Sequence, residues 1–300
     1  MRKNDKITGH LVILFVNIVF GINTPIAKGA LIAVGPYVLT FFRFAGCAVF
    51  FWLASLVIKV PKATKEDRWK LCIASIFGIV LNLFLFIIGL SMTTPSNASI
   101  TVSMTPIFTM IMAFIFLKEP ISWKKFIGIM VGLSGAIILI LTGNNIHNAI
   151  ADNNAIGILI VILSGIAYAL YLTLFAPLIK RNHPVTVMKW MFLASTIIIL
   201  PFTLPSIMKT DFQAVEPHIW LNICYVVLMA TFVNYLLIPV GQARLRPTVL
   251  SMYNYIQPVV STTIAVITFM EILTIYKIIA CILVFLGVYI VSKSKAREQN

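Results

Sequence analysis

The sequence predicts an all-α polytopic membrane protein, with ten transmembrane helices arranged as two inverted five-helix repeats. Three observations lead there. First, 60% of the 300 residues are hydrophobic and only 11% are charged, with a mean hydropathy of +1.00. A soluble core of this size cannot hide that much apolar surface, so part of it must face lipid. Second, the apolar residues fall into ten runs of about 20, the length a bilayer core requires. Third, the chain repeats itself at an offset of 152 positions. Pro25 aligns with Pro177, Pro95 with Pro247 and Pro106 with Pro258, as do Lys28 with Lys180, Asn82 with Asn234, Gly89 with Gly241, Ser99 with Ser251, Glu119 with Glu271, Lys125 with Lys277 and Gly135 with Gly287. Chance would give roughly a third of one proline pair at any fixed offset, and three are present.

In chain order, the predicted spans are 8–29, 36–58, 70–91, 96–117, 124–142, 155–179, 185–206, 218–240, 248–270 and 274–292. Residues that begin or end helices stand between them: Gly35 with Pro36, Pro61, Pro95, Glu119 with Pro120, Gly143 to Asn145, Pro184 and Pro247. The first repeat occupies 1–145 and the second 153–293, and 294–300 is a polar, basic tail. The run from residue 8 continues to Lys28 without a convincing cleavage site and reads as a retained first helix.

Orientation follows from the basic residues. Eighteen Lys and Arg fall on one side of the ten spans and three on the other, namely Lys28, Lys209 and Lys277. That bias places both termini in the cytoplasm of a cell-membrane protein. Five spans per repeat is an odd number, so the second copy enters the membrane inverted. Inverted repeats are a recurrent carrier architecture, with substrate held between the copies near the midplane.

The net charge of +14 is dispersed in short clusters between apolar runs, which excludes a nucleic-acid face. Cys47, Cys72, Cys224 and Cys281 lie in apolar runs without CxxC spacing, so neither a disulfide framework nor a metal site is expected. No cofactor is implied, and no HExxH, GxSxG or intramembrane carboxylate pair suggests an enzyme. The partners expected are a small-molecule substrate and membrane lipid, and the oligomeric expectation is a monomer or weak homodimer.

Ala98 and Ser99 through Pro106, then Phe116 to Glu119, Trp123 to Lys125 and Gly128, Gly132 and Gly135, form one block; Ser251 through Pro258, Glu271 and Gly287 echo it. With Phe20 and Gly21 through Lys28, and Arg43 in the second span, this pattern resembles the drug/metabolite transporter superfamily, EamA type. The resemblance covers nearly the whole chain. It implies ten helices and passage of small organic metabolites, often by export. The chain departs from the family in having Phe20 where a Trp is usual.

Polar residues inside apolar spans are the candidate substrate ligands, because lipid-facing polar groups would go unsatisfied. Pro106 and Pro258 are expected helix kinks. Ser103 and Thr105 precede the first, and Tyr253, Asn254 and Gln257 share a face before the second. Asn82 and Asn234 hold equivalent positions in the third and eighth spans, as substrate ligands or as interhelical hydrogen-bond glue. Asn17 and Asn23 in the first span, and Tyr168 and Tyr171 in the sixth, complete the lining. Arg43 lies about 10 Å inside its span, positioned either to hold a substrate carboxylate or to reach the outer headgroups. Lys189 is expected to snorkel. Glu119 and Glu271 are expected to pair with Lys124, Lys125 or Lys277.

All nine acidic residues and all four histidines lie at span ends or in loops. A proton-coupled carrier commonly places such a group in its pathway. The function expected is therefore a facilitative or exchange-driven carrier exporting small organic metabolites, amino acids or related compounds, by alternating access between the repeats. The alternative is a non-transporting membrane scaffold or receptor subunit.

Overall fold

In the computed structural model, Lys3–Val57 is one helical run except at Gly35, whose φ of 73° and ψ of 169° lie where side chains with a Cβ are strained. Glycine thus divides the run into α1 (3–34) and α2 (36–57), and Pro36 opens α2, where its missing N–H is not needed. The structure describes residues 3–117, 123–142, 153–245, 253–270 and 272–293, together with Leu250. The expected pairing of Glu119 and Glu271, the start of the ninth span at Pro247 and Ser251, and the tail 294–300 lie outside the described residues.

The remaining elements are α3 (Lys65–Met92), α4 (Pro95–Val102), α5 (Thr105–Leu117), α6 (Trp123–Thr142), α7 (Asn154–Leu174), α8 (Ala176–Arg181), α9 (Pro184–Lys209), α10 (Pro217–Arg244), α11 (Ile256–Ile267) and α12 (Ile275–Lys293). The described residues contain helices and connectors but no strand. Among the described residues, six stretches are long and apolar enough to cross a membrane: Ile7–Val57, Lys65–Met92, Pro95–Phe116, Asn154–Leu174, Pro184–Lys209 and Pro217–Arg244. Large apolar side chains such as Ile32, Leu53, Ile197 and Phe202 point outward. The chain is an integral, multi-pass membrane protein.

The two expected proline kinks are breaks rather than bends. α4 ends at Val102, and Pro106 lies in the first turn of α5; a 3₁₀ turn, Tyr253–Tyr255, precedes α11, and Pro258 lies in the first turn of that helix. Each proline therefore occupies a position whose N–H would have had no intrahelical partner, which removes most of the roughly 3 kcal/mol that a mid-helix proline carries. Local hydroxyls cover the carbonyls at the first break. Ser103 Oγ donates to Ser99 O (3.1 Å) and Thr105 Oγ1 to Val102 O (2.5 Å).

Glycines set the closest helix contacts, and these contacts repeat across the chain. A Cβ on Gly287 of α12 would lie 2.5 Å from Gly132 N and 2.6 Å from Gly128 O, and one on Gly135 would lie 2.8 Å from Ala280 O. Gly128 and Ala280 are 152 apart, as are Gly135 and Gly287, so the α6/α12 seam maps onto itself. The same exchange relates α3 on α7 to α10 on α1. A Cβ on Gly89 would meet Val161 Cγ2 at 2.6 Å, and Gly9, the residue 152 before Val161, faces Arg244 Cβ at 3.0 Å. α3 and α10 also share a rare winding, π-helical over Ile76–Phe84 and Leu228–Val233, beginning at positions 152 apart.

One pair of equivalent elements differs in conformation. α1 runs unbroken through Pro25, and buried Lys28 donates its ammonium hydrogens to Leu90 O (2.7 Å), Ser91 O (2.9 Å) and Thr93 O (2.7 Å) at the end of α3. The equivalent helix stops at Leu174, turns at Phe175 (φ −102°, ψ 4°) and continues as α8. On α8, Lys180 is exposed and lines a gap with Gln242, Leu245 and Leu250. Leu245 closes α10 in extended backbone, as Thr93 closes α3. Arg181 and Asn182 instead bind the Asp67 carboxylate at the start of α3.

Lys189 is half-buried over the Trp52 ring, 4.9 Å from its centroid, a cation–π seat that accounts for its place inside a span. Gly287→Val should lower the unfolding temperature of the purified protein in scanning fluorimetry, by an amount equivalent to about 1–3 kcal/mol, because backbone rather than a movable side chain blocks the new methyl groups. Gly29→Ala, whose nearest neighbour would be 3.6 Å away, should leave that temperature nearly unchanged.

Candidate substrate-binding site

A cavity with about 750 Å³ of atom-free space, part of it open to the exterior, lies among α1, α2, α3, α4, α5, α7, α10, α11 and the 3₁₀ turn before α11. Those are the first, third, fourth, sixth, eighth and ninth predicted spans, with the second added through Arg43. Six pairs of lining residues stand 152 positions apart: Ile13 and Gly165, Val16 and Tyr168, Leu83 and Tyr235, Phe86 and Ile238, Val102 and Asn254, Thr105 and Gln257. Both copies thus contribute the same positions to one space. In three of the pairs the first copy supplies an aliphatic side chain and the second a phenol or an amide, so the walls match in place but differ in polarity.

Asn17, Asn254 and Gln257 form a buried amide group between α1 and the start of α11. Gln257 Nε2 donates to Asn17 Oδ1 (2.7 Å) and Asn254 Oδ1 (3.4 Å), and Asn17 Nδ2 donates to Ile13 O (2.8 Å). Across α3 and α7, Asn82 Nδ2 donates to Ser164 O and Oγ (3.3 Å each), while Asn82 Oδ1 accepts from Tyr235 (3.4 Å). Asn82 is therefore interhelical glue whose residue also borders the cavity.

Arg43 is the charged member of the wall. Only 1% of it is exposed, so it does not reach the outer headgroups; its Nε donates to Thr231 Oγ1 (2.9 Å), and its buried Nη1 meets no acceptor among the described residues. Thr231 is itself held by Val226 O (2.6 Å), inside the π-helical turn of α10. Leaving a neutral donor buried and unpaired costs about 1–3 kcal/mol, and a charged one more. The guanidinium is anchored at one nitrogen and carries a buried, unpaired donor at another, which an anionic group would complete.

Of the residues expected from sequence, Asn17, Arg43, Asn82, Thr105, Tyr168, Asn254 and Gln257 line this cavity, as does Asn23. Four do not. Ser103 is committed to Ser99 O and, at 3.5 Å, to Asn254 O. Tyr171 is buried, stacked on Tyr168 with centroids 5.9 Å apart, and packed against Gly78. Tyr253 bonds His10 Nδ1 (2.7 Å), and Asn234 is fully buried with Nδ2 on Val16 O (3.2 Å). Ser103, Tyr253 and Asn234 thus spend polar groups on contacts between helical segments, whereas Tyr171 is held by the packing of its ring.

Family-model comparison matches an EamA-like transporter family over residues 7–141 and again over 155–293. The chain belongs to the EamA-like transporter family. An uncharacterized transporter of Archaeoglobus fulgidus is 26% identical over 262 residues, covering 87% of this chain and 90% of its own length. The uncharacterized transporter YyaM of Bacillus subtilis is 23% identical, with 79% of each chain covered. A WAT1-related protein of Arabidopsis thaliana is 20% identical over 99% of this chain and 87% of its own length. One solved crystal structure superposes with a TM-score of 0.65 at 19% identity over 97% of this chain and 96% of its own, a likeness of fold. The EamA-type resemblance carried by the sequence pattern is thus met by two successive family matches.

Sequence reasoning missed Thr24, Ser164 and Tyr235 in the lining of this EamA-like protein. Tyr235 had a signal: it stands 152 after Leu83, beside Asn82, but only identical residues draw attention in an offset comparison. Gln257→Leu should lower stability by about 1–2 kcal/mol in a denaturation series, by stranding the Asn17 oxygen. The double substitution Asn17→Leu/Gln257→Leu should cost less than the sum of the single ones, since no half-paired amide is then left.

Proposed function

We propose that the chain is a secondary carrier exporting small organic metabolites by alternating access between two inverted five-helix repeats, with both termini cytoplasmic. The observation that carries this reading is the cavity built from equivalent positions of the two copies. A site on a pseudo-twofold axis can face either side with little change in its own geometry. The self-mapping α6/α12 seam and the exchanged α3/α7 and α10/α1 contacts support the inverted arrangement.

Alternating access needs one state closed on one side and open on the other. The two equivalent lysines fit that requirement. Lys28 is docked on the carbonyl end of α3 and closes its side, whereas the Lys180 side chain is exposed at the gap beside Gln242 and Leu245, beyond the bend at Phe175 and next to the Asp67 latch on Arg181 and Asn182. In the opposite state, Lys180 docks on the carbonyls at Gln242, Ala243 and Leu245, and Lys28 releases. Substrate recognition falls to the amide group, Tyr168, Tyr235 and Arg43. Carboxylate-bearing metabolites such as amino acids or related compounds match that inventory. The described lining contains no Asp, Glu or His to carry a proton, so the reading is of facilitated or exchange-driven flux.

Proteoliposomes loaded with labelled amino acids and organic acids should show saturable efflux above that of empty liposomes, indifferent to an imposed pH gradient. Lys28→Met and Lys180→Met should each slow this efflux about tenfold, the effect of losing a charge-assisted hydrogen-bond set in one state only. Substrate binding measured on the same variants should change far less. Efflux no greater than from empty liposomes would favour a scaffold or receptor subunit.

A further inference from the structure

We infer that the cavity selects monoanions: small organic acids with one carboxylate, an apolar body and no ammonium group. The inference rests on the carrier reading for its biological meaning, and on Arg43 for its chemistry. Arg43 brings one positive charge into the wall, anchored at Nε by Thr231, with Nη1 buried and without a partner among the described residues. Nothing in the described lining opposes that charge. The acids that the structure pairs are engaged at helix ends: Glu66 with Lys70, Asp67 with Arg181, and Glu216 with His218.

An empty cavity therefore holds an uncompensated buried cation, which low polarity makes unfavourable. A carboxylate cancels it and gives Nη1 an acceptor. A zwitterion does the same with one end but brings a second cation, which needs a counter-charge of its own. The amide oxygens do not supply one, because they accept hydrogen bonds but carry no net charge, and Asn17 Oδ1 and Asn254 Oδ1 each already take one from Gln257 Nε2. Asn23 Oδ1 is buried and has no partner among the described residues, so it can accept from one neutral donor such as a hydroxyl. The remaining wall, including Val16, Phe20, Leu83, Phe86 and Ile238, is apolar and suits a hydrocarbon or aromatic body. The narrower class thus falls within the carboxylate-bearing metabolites, on the side of organic acids rather than amino acids.

The test compares three ligands with one body: 3-phenylpropanoate, phenylalanine and 3-phenylpropanamide. Binding to the purified full-length protein in nanodiscs is read by calorimetry. The expected result is that phenylpropanoate binds about tenfold or more tightly than either companion. Arg43→Gln should erase the difference, and Arg43→Lys should retain part of it. Equal or tighter binding of phenylalanine or the amide to the wild type overturns the inference without reference to any variant. So does binding of none of the three, or a preference that survives in a folded Arg43→Gln protein. Flux of 2-phenylethanesulfonate, a monoanion with a similar body that does not cross lipid unaided, separates this from the carrier reading once calorimetry shows that it too binds through Arg43. Arg43-dependent binding without flux keeps the monoanion site and removes the carrier. Saturable phenylalanine flux unaffected by Arg43→Gln keeps the carrier and removes the monoanion preference.

Discussion

Inside a bilayer there is no water to satisfy a broken helix, so each interruption of the backbone ladder must be closed by the protein itself. This constraint organises the molecule. Where α4 gives way to α5, the hydroxyls of Ser103 and Thr105 cover the carbonyls, and the prolines sit where a missing N–H leaves no gap. Where α3 ends, the ammonium of Lys28 takes three carbonyls at once. Interrupted helices are therefore tolerable at the centre of the bundle, and they bring Asn254 and Gln257 to a cavity wall rather than into a regular helix face.

On the proposed carrier reading, the same low polarity gives the cavity its selectivity. Apolar walls supply no orientation, so the few polar groups decide what can remain there. Most are tied to one another, as in the Asn17, Asn254 and Gln257 group, and so act mainly as fixed architecture. Arg43 differs because its anchor at Thr231 leaves part of the guanidinium available. A carrier that holds its solute through one open charge can bind it firmly enough to discriminate and still release it when a neighbouring helix shifts.

Much of the architecture was legible in the sequence because apolar run length and proline placement respond directly to membrane thickness and helix geometry. Most described residues of the predicted spans are helical, the exceptions including the break at Ser103 and Met104, the bend at Phe175 and the non-helical end Thr268–Met270. The bend at Phe175 was not legible, since Pro177 and Lys180 repeat the register of Pro25 and Lys28, through which α1 runs straight. The site was partly legible. A polar residue in an apolar run must point to protein or a cavity, which found Asn17, Arg43 and Gln257. Pattern could not separate cavity from packing for Asn234, because a π-helical stretch advances the helix face by more residues per turn than an α-helix does. Asn82 lies within such a stretch and Asn234 just beyond one, so equal register does not give equal exposure.

The unequal lysines also make the fold its own reporter. An amine buried against three carbonyls is shielded from acylating reagents dissolved in the aqueous phase, whereas one exposed on α8 is open to them. Lys28 and Lys180 should therefore differ in labelling in the conformation seen here, and under the proposed alternating access the difference should invert in the opposite state. Mass spectrometry of the native, unmutated chain could then follow how a solute redistributes the two conformations, without engineered probes in the membrane.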